Sequence, residues 1–542
     1  MTTGLQTSYW PADQSSPIWD MTVGDVLRRA AALAGEREAL VEVAPDGAPS
    51  LTAAASTDRR WTYRQLLDEA EACAHWLLAR FAPGEHVCIW APNVPEWIVV
   101  QYGAALAGLV VVTANPALQE AELRHVLKQS RASGLIHVDQ FRGYDMAQTA
   151  GRMDDVVRER ISLTGFMDRL KIVEPVRDLP PVAPDAPVQI QFTSGTTGLP
   201  KGALLHHRGM VTNAAFLVDR SGHLNEIWVS PLPLFHTAGS GLCVLGCATR
   251  LSTLVLPCLF EPRLMLSAIE RERATVVGGV PTMLVALLEA LPEGRSDLSS
   301  LRVMVSGGSP VPPKLHERVE AAFGCPLTSL FGQTELSPSL TASSPDDSAA
   351  DRAETSGRPL PQVEVRIVDP QTGELAPIGH DGEVQARGYQ LMLGYVGQDD
   401  ATARTILPDG WLRTGDIGHL DSRGYLRITG RLSDMIIRGG ENLYPAEIEA
   451  ALTRHPAVAE AAVFGLPDDH WGEIAAAAIR LRPQADQTDA ADLKSHCRNL
   501  LSPQKTPSDW FVVEAMPLTP SGKVQKFTLR DDASAGRLRK IS

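Results

Sequence analysis

Cysteine is scarce in this chain: seven residues in 542, an odd count with no C-x-x-C pair anywhere. Cys243 and Cys247 stand four apart, but in an apolar stretch with no second pair. They read as small buried hydrophobes in a reducing compartment rather than as metal ligands. Basic charge is also short. Lys and Arg total 50 against 64 Asp and Glu, for a net charge of −14. Nucleic acid is thereby excluded as the main partner, because neutralising its phosphates needs a basic face. A small polyanion is not excluded, since one local lysine can bind it inside an acidic protein. Long apolar runs are missing as well. The longest, "GAALAGLVVVTA", is too short to span a bilayer. The first residues, "MTTGLQTSYWPADQ", have neither a basic region nor an apolar core, so no signal peptide is expected and the cytoplasm is the expected compartment.

Hydrophobic content of 44% and charged content of 21% are those of an ordinary globular protein, and 542 residues are too many for one compact core. Leu66, Ala70, Cys73, Ala74 and Leu77 recur at helical spacing, and "HVCIW" then reads as a buried strand. A helix over Trp97–Ala107 and a strand "LVVVT" follow, then a helical "EAELRHVLKQS" and a strand "GLIHV". The alternation resumes from Ile190 to Phe331, which predicts an α/β architecture with a largely parallel sheet. Beyond residue 340 the short strands "VEVRIVD", "GEVQARG" and "GYLRITG" predict a small β-rich subdomain. From Arg431 a separate α+β domain is expected, with Pro445 in the first turn of a helix that turns Ile448 and Leu452 inward. The expected division is 1–430 and 431–542. The Ala-, Ser- and Thr-rich segment 46–58 reads as a surface loop.

Residues 193–202, "TSGTTGLPKG", combine glycines, hydroxyls and one lysine, the ingredients of a phosphate cradle. A nucleotide-hydrolysing P-loop needs glycine directly before its lysine and a hydroxyl directly after it. Here Pro200 precedes Lys201 and Gly202 follows, so the pattern fails where such a loop would hold magnesium. A Gly/Ser/Thr run alone could equally be a flexible surface loop.

The run does not stand alone. "QFTSGTTGLPKG", "PLFHTAG", "FGQTE", "LRTGD", "GRLSDMIIRGGENLYPAEIE" and "LTPSGK" occur in that order between Gln191 and Lys523. Together they resemble the adenylate-forming superfamily of acyl-CoA synthetases, luciferases and nonribosomal adenylation domains. They look most like bacterial synthetases of the medium-chain or fatty-acid type. The resemblance implies two half-reactions at one site: a carboxylate attacks the α-phosphorus of Mg-ATP, and the thiol of CoA then displaces AMP. It assigns the β- and γ-phosphates to Thr193, Ser194, Gly195, Thr196, Thr197, Gly198 and Lys201. Thr334 would meet the α-phosphate and Glu335 would bind Mg²⁺. Asp416 would take the ribose hydroxyls, with Arg431 on ribose or phosphate nearby. Gly307, Gly308, Ser309, Phe331 and Gly332 would line the adenine slot. Lys523 would reach the reacting carboxylate during adenylation.

The tail domain of such enzymes rotates between the two steps, and the corresponding hinge position is Ser433, where Asp or Lys is more usual. After rotation Gly439, Gly440 and Glu441 would face the site, the glycines forming a narrow pantetheine tunnel. The acyl pocket is expected between His236, Ser240, Gly278, Gly279, Gly307 and Ser337, with the glycines and Ser240 leaving room for a chain or ring system. No lysine or arginine lies in these segments to pair a second acid group, and no aspartate follows "PLFHTAG" to hold an ammonium. A hydrophobic monocarboxylic acid is therefore the expected substrate. Loading a carrier protein instead of CoA, efficient catalysis of only one half-reaction, and a non-enzymatic ATP-binding scaffold are the alternatives. Such synthetases are often dimers, so a homodimer is an open expectation.

Overall fold

The computed structural model describes residues 4–45, 50–52, 58–174, 178–193, 200–220, 226–291, 297–438, 441–468, 470–482, 488–518 and 524–541, with only the backbone of Glu441 and Asn442. Most of segment 46–58 therefore lies outside the described residues, although Thr52 is buried and its carbonyl accepts the Gly165 amide. No helix among the described residues is long and apolar enough to cross a membrane.

Two large sheets organise the first part of the chain. One has seven strands, in the order Gly394–Tyr395, Lys201–His206, Pro187–Thr193, Val110–Ala114, His86–Trp90, Gly134–His137, Glu159–Ser162. The last five are mutually parallel. Such strands are covered on both faces, which is why "HVCIW" and "VVVTA" are nearly continuous apolar runs. The helix Tyr63–Leu78 sets Leu66, Ala70, Cys73, Ala74 and Leu77 inward, as their spacing predicts. The helix Pro95–Leu106 is buried along its whole length, lying inside the core rather than on its surface.

The second sheet has nine strands and runs through Ile227–Val229, Val276–Gly279, Val303–Ser306 and Leu327–Gly332. The last three are parallel neighbours, with Gly279 opposite Ser306 and Ser306 opposite Ser329. Their carboxyl ends open side by side, and in an open α/β sheet that edge is where ligands bind.

The β-rich subdomain is a five-stranded antiparallel sheet over Val363–Val368, Gly382–Gly388, Leu412–Leu420 and Leu426–Arg431. Its fifth strand, Tyr9–Trp10, comes from the start of the chain and pairs with Val363–Val368. Nothing local in the sequence marks that two-residue strand. After Arg431 come a tight turn, Leu432–Asp434, and a further sheet beginning at Ile436. The strand Gly472–Leu481 lies inside this tail sheet. Ala475, Ala477 and Ile479 face the helices Pro445–Leu452 and Ala490–Leu500, while Ala476 and Ala478 face Leu529 of Lys526–Ser534. Small residues on both faces let helices pack against both sides of one strand.

Cys243 and Cys247 are buried, at 2% and 3% exposure, among apolar neighbours, as the sequence implies.

Candidate active site

Two antiparallel strands flank the phosphate run. Pro187–Thr193 and Lys201–His206 are antiparallel, with Thr193 opposite Lys201. A P-loop joins a strand to a helix, so its helix N-terminus can face the phosphate. Here the run joins two strands, and the helix His207–Arg220 begins only after the second. Ser194, Gly195, Thr196, Thr197 and Gly198 lie outside the described residues. Of the flanking pair, the Thr193 hydroxyl donates to the Lys201 carbonyl at 3.4 Å. The Lys201 ammonium lies 5.1 Å from the ring centroid of Tyr395.

Tyr395 is a residue that motif reading passed over. Its strand pairs with the lysine strand, Ala203 opposite Tyr395. Its hydroxyl donates to Glu335 Oε1 at 2.7 Å. Burial, and then the charge of that carboxylate, push the phenol well above its ordinary value, so it remains a donor at any working pH. Glu335 follows the strand Leu327–Gly332 in a single tight turn, Thr334–Leu336, and both Thr334 and Glu335 are buried. Gly332 permits that turn, because a Cβ there would come within 2.0 Å of the Pro338 carbonyl oxygen.

Asp416 lies within the strand Leu412–Leu420 and is 3% exposed. Arg431 is its direct cross-strand partner and donates from Nε to Asp416 Oδ1 at 2.8 Å. The two expected ribose ligands are thus joined to each other, with the guanidinium partly in solvent and the carboxylate inside. Gly307, Gly308 and Ser309 directly follow the strand Val303–Ser306, and Phe331 and Gly332 end the neighbouring one. Gly308 has φ +80, a left-handed conformation that favours glycine.

His236 is half-buried, and its Nδ1 accepts the Ala238 amide at 3.1 Å. A neutral ring accepting at Nδ1 carries its proton on Nε2. Buried amides hold the segment leading to it. Asn93 donates to the Pro231 and Leu232 carbonyls at 3.3 and 3.2 Å and accepts the Leu234 amide at 2.9 Å. Gln191 donates to the Phe235 carbonyl at 2.8 Å. Asn93 carries no motif, and Gln191 opens the quoted phosphate motif without a role of its own there; only the packed fold brings both to this loop. A π-helical turn, Ala238–Leu245, continues from it, a geometry frequent at functional sites.

Four positions of the expected acyl wall have close neighbours. Ser240 is fully buried, its hydroxyl accepting from Gln189 and donating to the His236 carbonyl, both at 3.2 Å. Ser337 is 1% exposed and faces the helix at Gly209 rather than an open pocket. Beside Gly278 the space is taken by Ser230 and Leu232, which a Cβ would meet at 3.2 and 3.6 Å. Beside Gly279 it is taken by Met283, at 3.6 Å. Ser240, Ser337 and Gly278 are closely packed, while a Cβ at Gly279 would make only ordinary contacts.

Ser433 is exposed in the turn after Arg431, its hydroxyl 3.1 Å from the Asp434 carboxylate. Gly439, Gly440 and Lys523 lie outside the described residues, and of Glu441 only the backbone is described, opposite Arg438 in a strand pair.

Comparison with known proteins gives the family. The family model described as "AMP-binding enzyme" matches residues 27–396, and that of the "AMP-binding enzyme C-terminal domain" matches 447–523. YngI of Bacillus subtilis, named as an acyl-CoA synthetase, is 37% identical over 91% of this chain and 96% of its own. A human mitochondrial medium-chain acyl-CoA ligase is 34% identical, covering 94% of this chain and 87% of its own. Among solved structures, o-succinylbenzoate CoA synthetase from Bacillus subtilis, in complex with its acyl-adenylate intermediate, superposes with a TM-score of 0.81. It is 29% identical over 95% of this chain and 99% of its own. The chain belongs to the AMP-binding enzyme family, among the adenylate-forming acyl-CoA synthetases and ligases.

Proposed function

We propose that this protein is an acyl-CoA ligase that activates a hydrophobic monocarboxylic acid as its acyl-AMP and passes the acyl group to the thiol of CoA. The observation that carries the reading is that Lys201 and Glu335, reached from two different sheets, both contact Tyr395 at the end of the molecule where the parallel strands finish. Joining two anions needs charge neutralisation and alignment more than a protein nucleophile. Lys201 and the loop from Thr193 hold the β- and γ-phosphates, and Thr334 meets the α-phosphate. Glu335 offers a buried carboxylate, the hard oxygen donor that Mg²⁺ prefers, so the residues fit that ion. Mg²⁺ at this place would neutralise phosphate charge. Asp416 and Arg431 hold the ribose, and Gly307, Gly308, Ser309, Phe331 and Gly332 flank the adenine.

The acid lies with its carboxylate near His236, which lines the site. Its oxygen bonds to the α-phosphorus as the bond to the β-phosphate breaks, and pyrophosphate leaves. In the second step the CoA thiol loses its proton to solvent, and its sulfur bonds to the acyl carbon as the carbon–oxygen bond to AMP breaks. Room for the acyl group requires Met283 or Leu232 to turn aside, and the unbranched Met283 does so readily. The relative named for medium-chain acids supports an aliphatic substrate, and the relatives named for CoA support that acceptor over a carrier protein. We place the domain division at 430/431, with Ser433 as the hinge and the Gly439–Gly440–Glu441 face meeting CoA after rotation. The cytoplasm is the proposed compartment.

The test is a panel of aliphatic, aryl and polycyclic acids with ATP, Mg²⁺ and CoA, read by mass spectrometry. Acyl-CoA from one class of hydrophobic acid is expected. Transfer only to a carrier protein, or no thioester from any acid or pre-formed acyl-AMP, contradicts the reading.

Asp416→Asn keeps the shape and removes the charge that orients Arg431 and the ribose. A hydrogen bond to a charged group is worth about 1.5–3 kcal/mol, so AMP and ATP affinity should both fall by about 10- to 100-fold. Calorimetric titration with AMP checks this, and unchanged affinity refutes the ribose assignment.

A further inference from the structure

Lys201 opens a strand of the seven-stranded sheet, while Glu335 sits in a turn beyond a strand of the nine-stranded sheet. One short segment joins them. Backbone bonds run from Met392 N to the Glu335 carbonyl at 2.9 Å, from Leu393 N to Leu204 at 2.8 Å and from Val396 N to Gly202 at 2.9 Å. Tyr395 lies in the middle of this segment and is 8% exposed. Its own amide is fixed by the Thr402 hydroxyl at 2.8 Å. From that anchored position its hydroxyl edge meets the carboxylate and its ring face meets the ammonium.

Lys201 and Glu335 form no direct ion pair among the described residues. A lysine and a carboxylate converging on one partly buried site would ordinarily close on each other, and each would then be lost to any other ligand. The tyrosine gives both a weaker partner. A ring face holds an ammonium less strongly than a phosphate does, and a neutral hydroxyl holds a carboxylate oxygen less strongly than a divalent cation does. Both groups are therefore kept oriented yet available.

We infer that Tyr395 is a positioning residue for the triphosphate end of the site, holding Lys201 and Glu335 apart and aiming each at Mg-ATP. The inference rests on the reading of Glu335 and Lys201 given under Proposed function. Its consequence is selective. AMP lacks the β- and γ-phosphates, so its binding should not depend on Tyr395.

The experiment uses the full chain and calorimetric titration of ATP at a series of Mg²⁺ concentrations, with AMP as control. Tyr395→Phe removes the hydrogen bond and keeps the ring. It should raise the Mg²⁺ concentration for half-maximal ATP binding by about three- to tenfold, the effect of one hydrogen bond, and leave AMP affinity unchanged. Tyr395→Leu removes the ring too, and should further weaken ATP at saturating Mg²⁺. Adding Glu335→Gln to Tyr395→Phe should produce no more shift than Glu335→Gln alone, because the hydroxyl acts through that carboxylate. An unchanged Mg²⁺ dependence in Tyr395→Phe overturns the inference, as does simple additivity of the two substitutions. If Glu335→Gln shifts the Mg²⁺ dependence and Tyr395→Phe does not, the inference falls and the reading of Glu335 stands. If Glu335→Gln itself changes nothing, both fall together.

Discussion

Lys523→Ala is expected to slow adenylation by about 10²–10³-fold, the effect of removing one preorganised donor from developing charge. Thioester formation from pre-formed acyl-AMP should remain near the level of the unmodified enzyme. The asymmetry follows from where charge appears. In the proposed first step a carboxylate approaches a triphosphate, and Lys523 would bring its ammonium to the oxygens between them. In the second step AMP would leave acyl-AMP as a neutral thioester forms, with the tail domain turned to present another face. The helix Lys526–Ser534 begins three residues beyond this lysine. Its Lys526 ammonium lies 2.7 Å from Glu449 and 4.0 Å from Asp434, the neighbour of Ser433. The helix that follows Lys523 is thus tied to the turn proposed as the hinge, so rotation about Ser433 would carry the lysine with it. Quenched-flow measurement of acyl-AMP from ATP and acid, beside thioester formation from synthetic acyl-AMP, gives both rates. Equal losses in the two would contradict the assigned role.

Gly440→Leu should leave acyl-AMP formation unchanged and abolish most of the CoA step, by about 100-fold or more. Displacing reacting groups by even about 1 Å can cost that much. The pantetheine arm of CoA is a narrow extended chain, and a branched side chain in its path leaves it no parallel route. Arg438 and Glu441 are paired in adjacent strands on either side of the two glycines, so the backbone flanking them has little freedom to move away. Acyl-AMP should then accumulate in the variant when CoA is present. A CoA step at the original rate would refute the tunnel assignment.

Much of the fold was legible because burial imposes periodicity. Leu66 through Leu77 repeat at helical spacing because one helix face is in the core, and "HVCIW" is apolar throughout because both faces of its strand are covered. The failed P-loop spacing at Pro200–Lys201–Gly202 was equally informative, since the run turns out to join two strands rather than a strand and a helix. Partners brought in from a distance were not legible. Tyr395 meets Glu335 across 60 positions, and Asn93 meets Leu234 across 141, and no local pattern encodes either. Nor could the free space beside Gly278 and Gly279 be read. A small residue signals close approach or an empty volume equally well, and here Ser230, Leu232 and Met283 come close to them. Motifs therefore propose phosphate, ribose and metal ends for the candidate site, while the proposed acyl end depends on side chains that carry no motif.

The central claim is that acid and ATP combine to acyl-AMP before any thiol is engaged. Its most direct test is isotope exchange between labelled pyrophosphate and ATP, with Mg²⁺ and a hydrophobic acid present and CoA absent. The account predicts acid-dependent exchange without CoA, and then AMP and acyl-CoA in equal amounts once CoA is added. No exchange without CoA, or formation of ADP and phosphate in place of AMP and pyrophosphate, would contradict it.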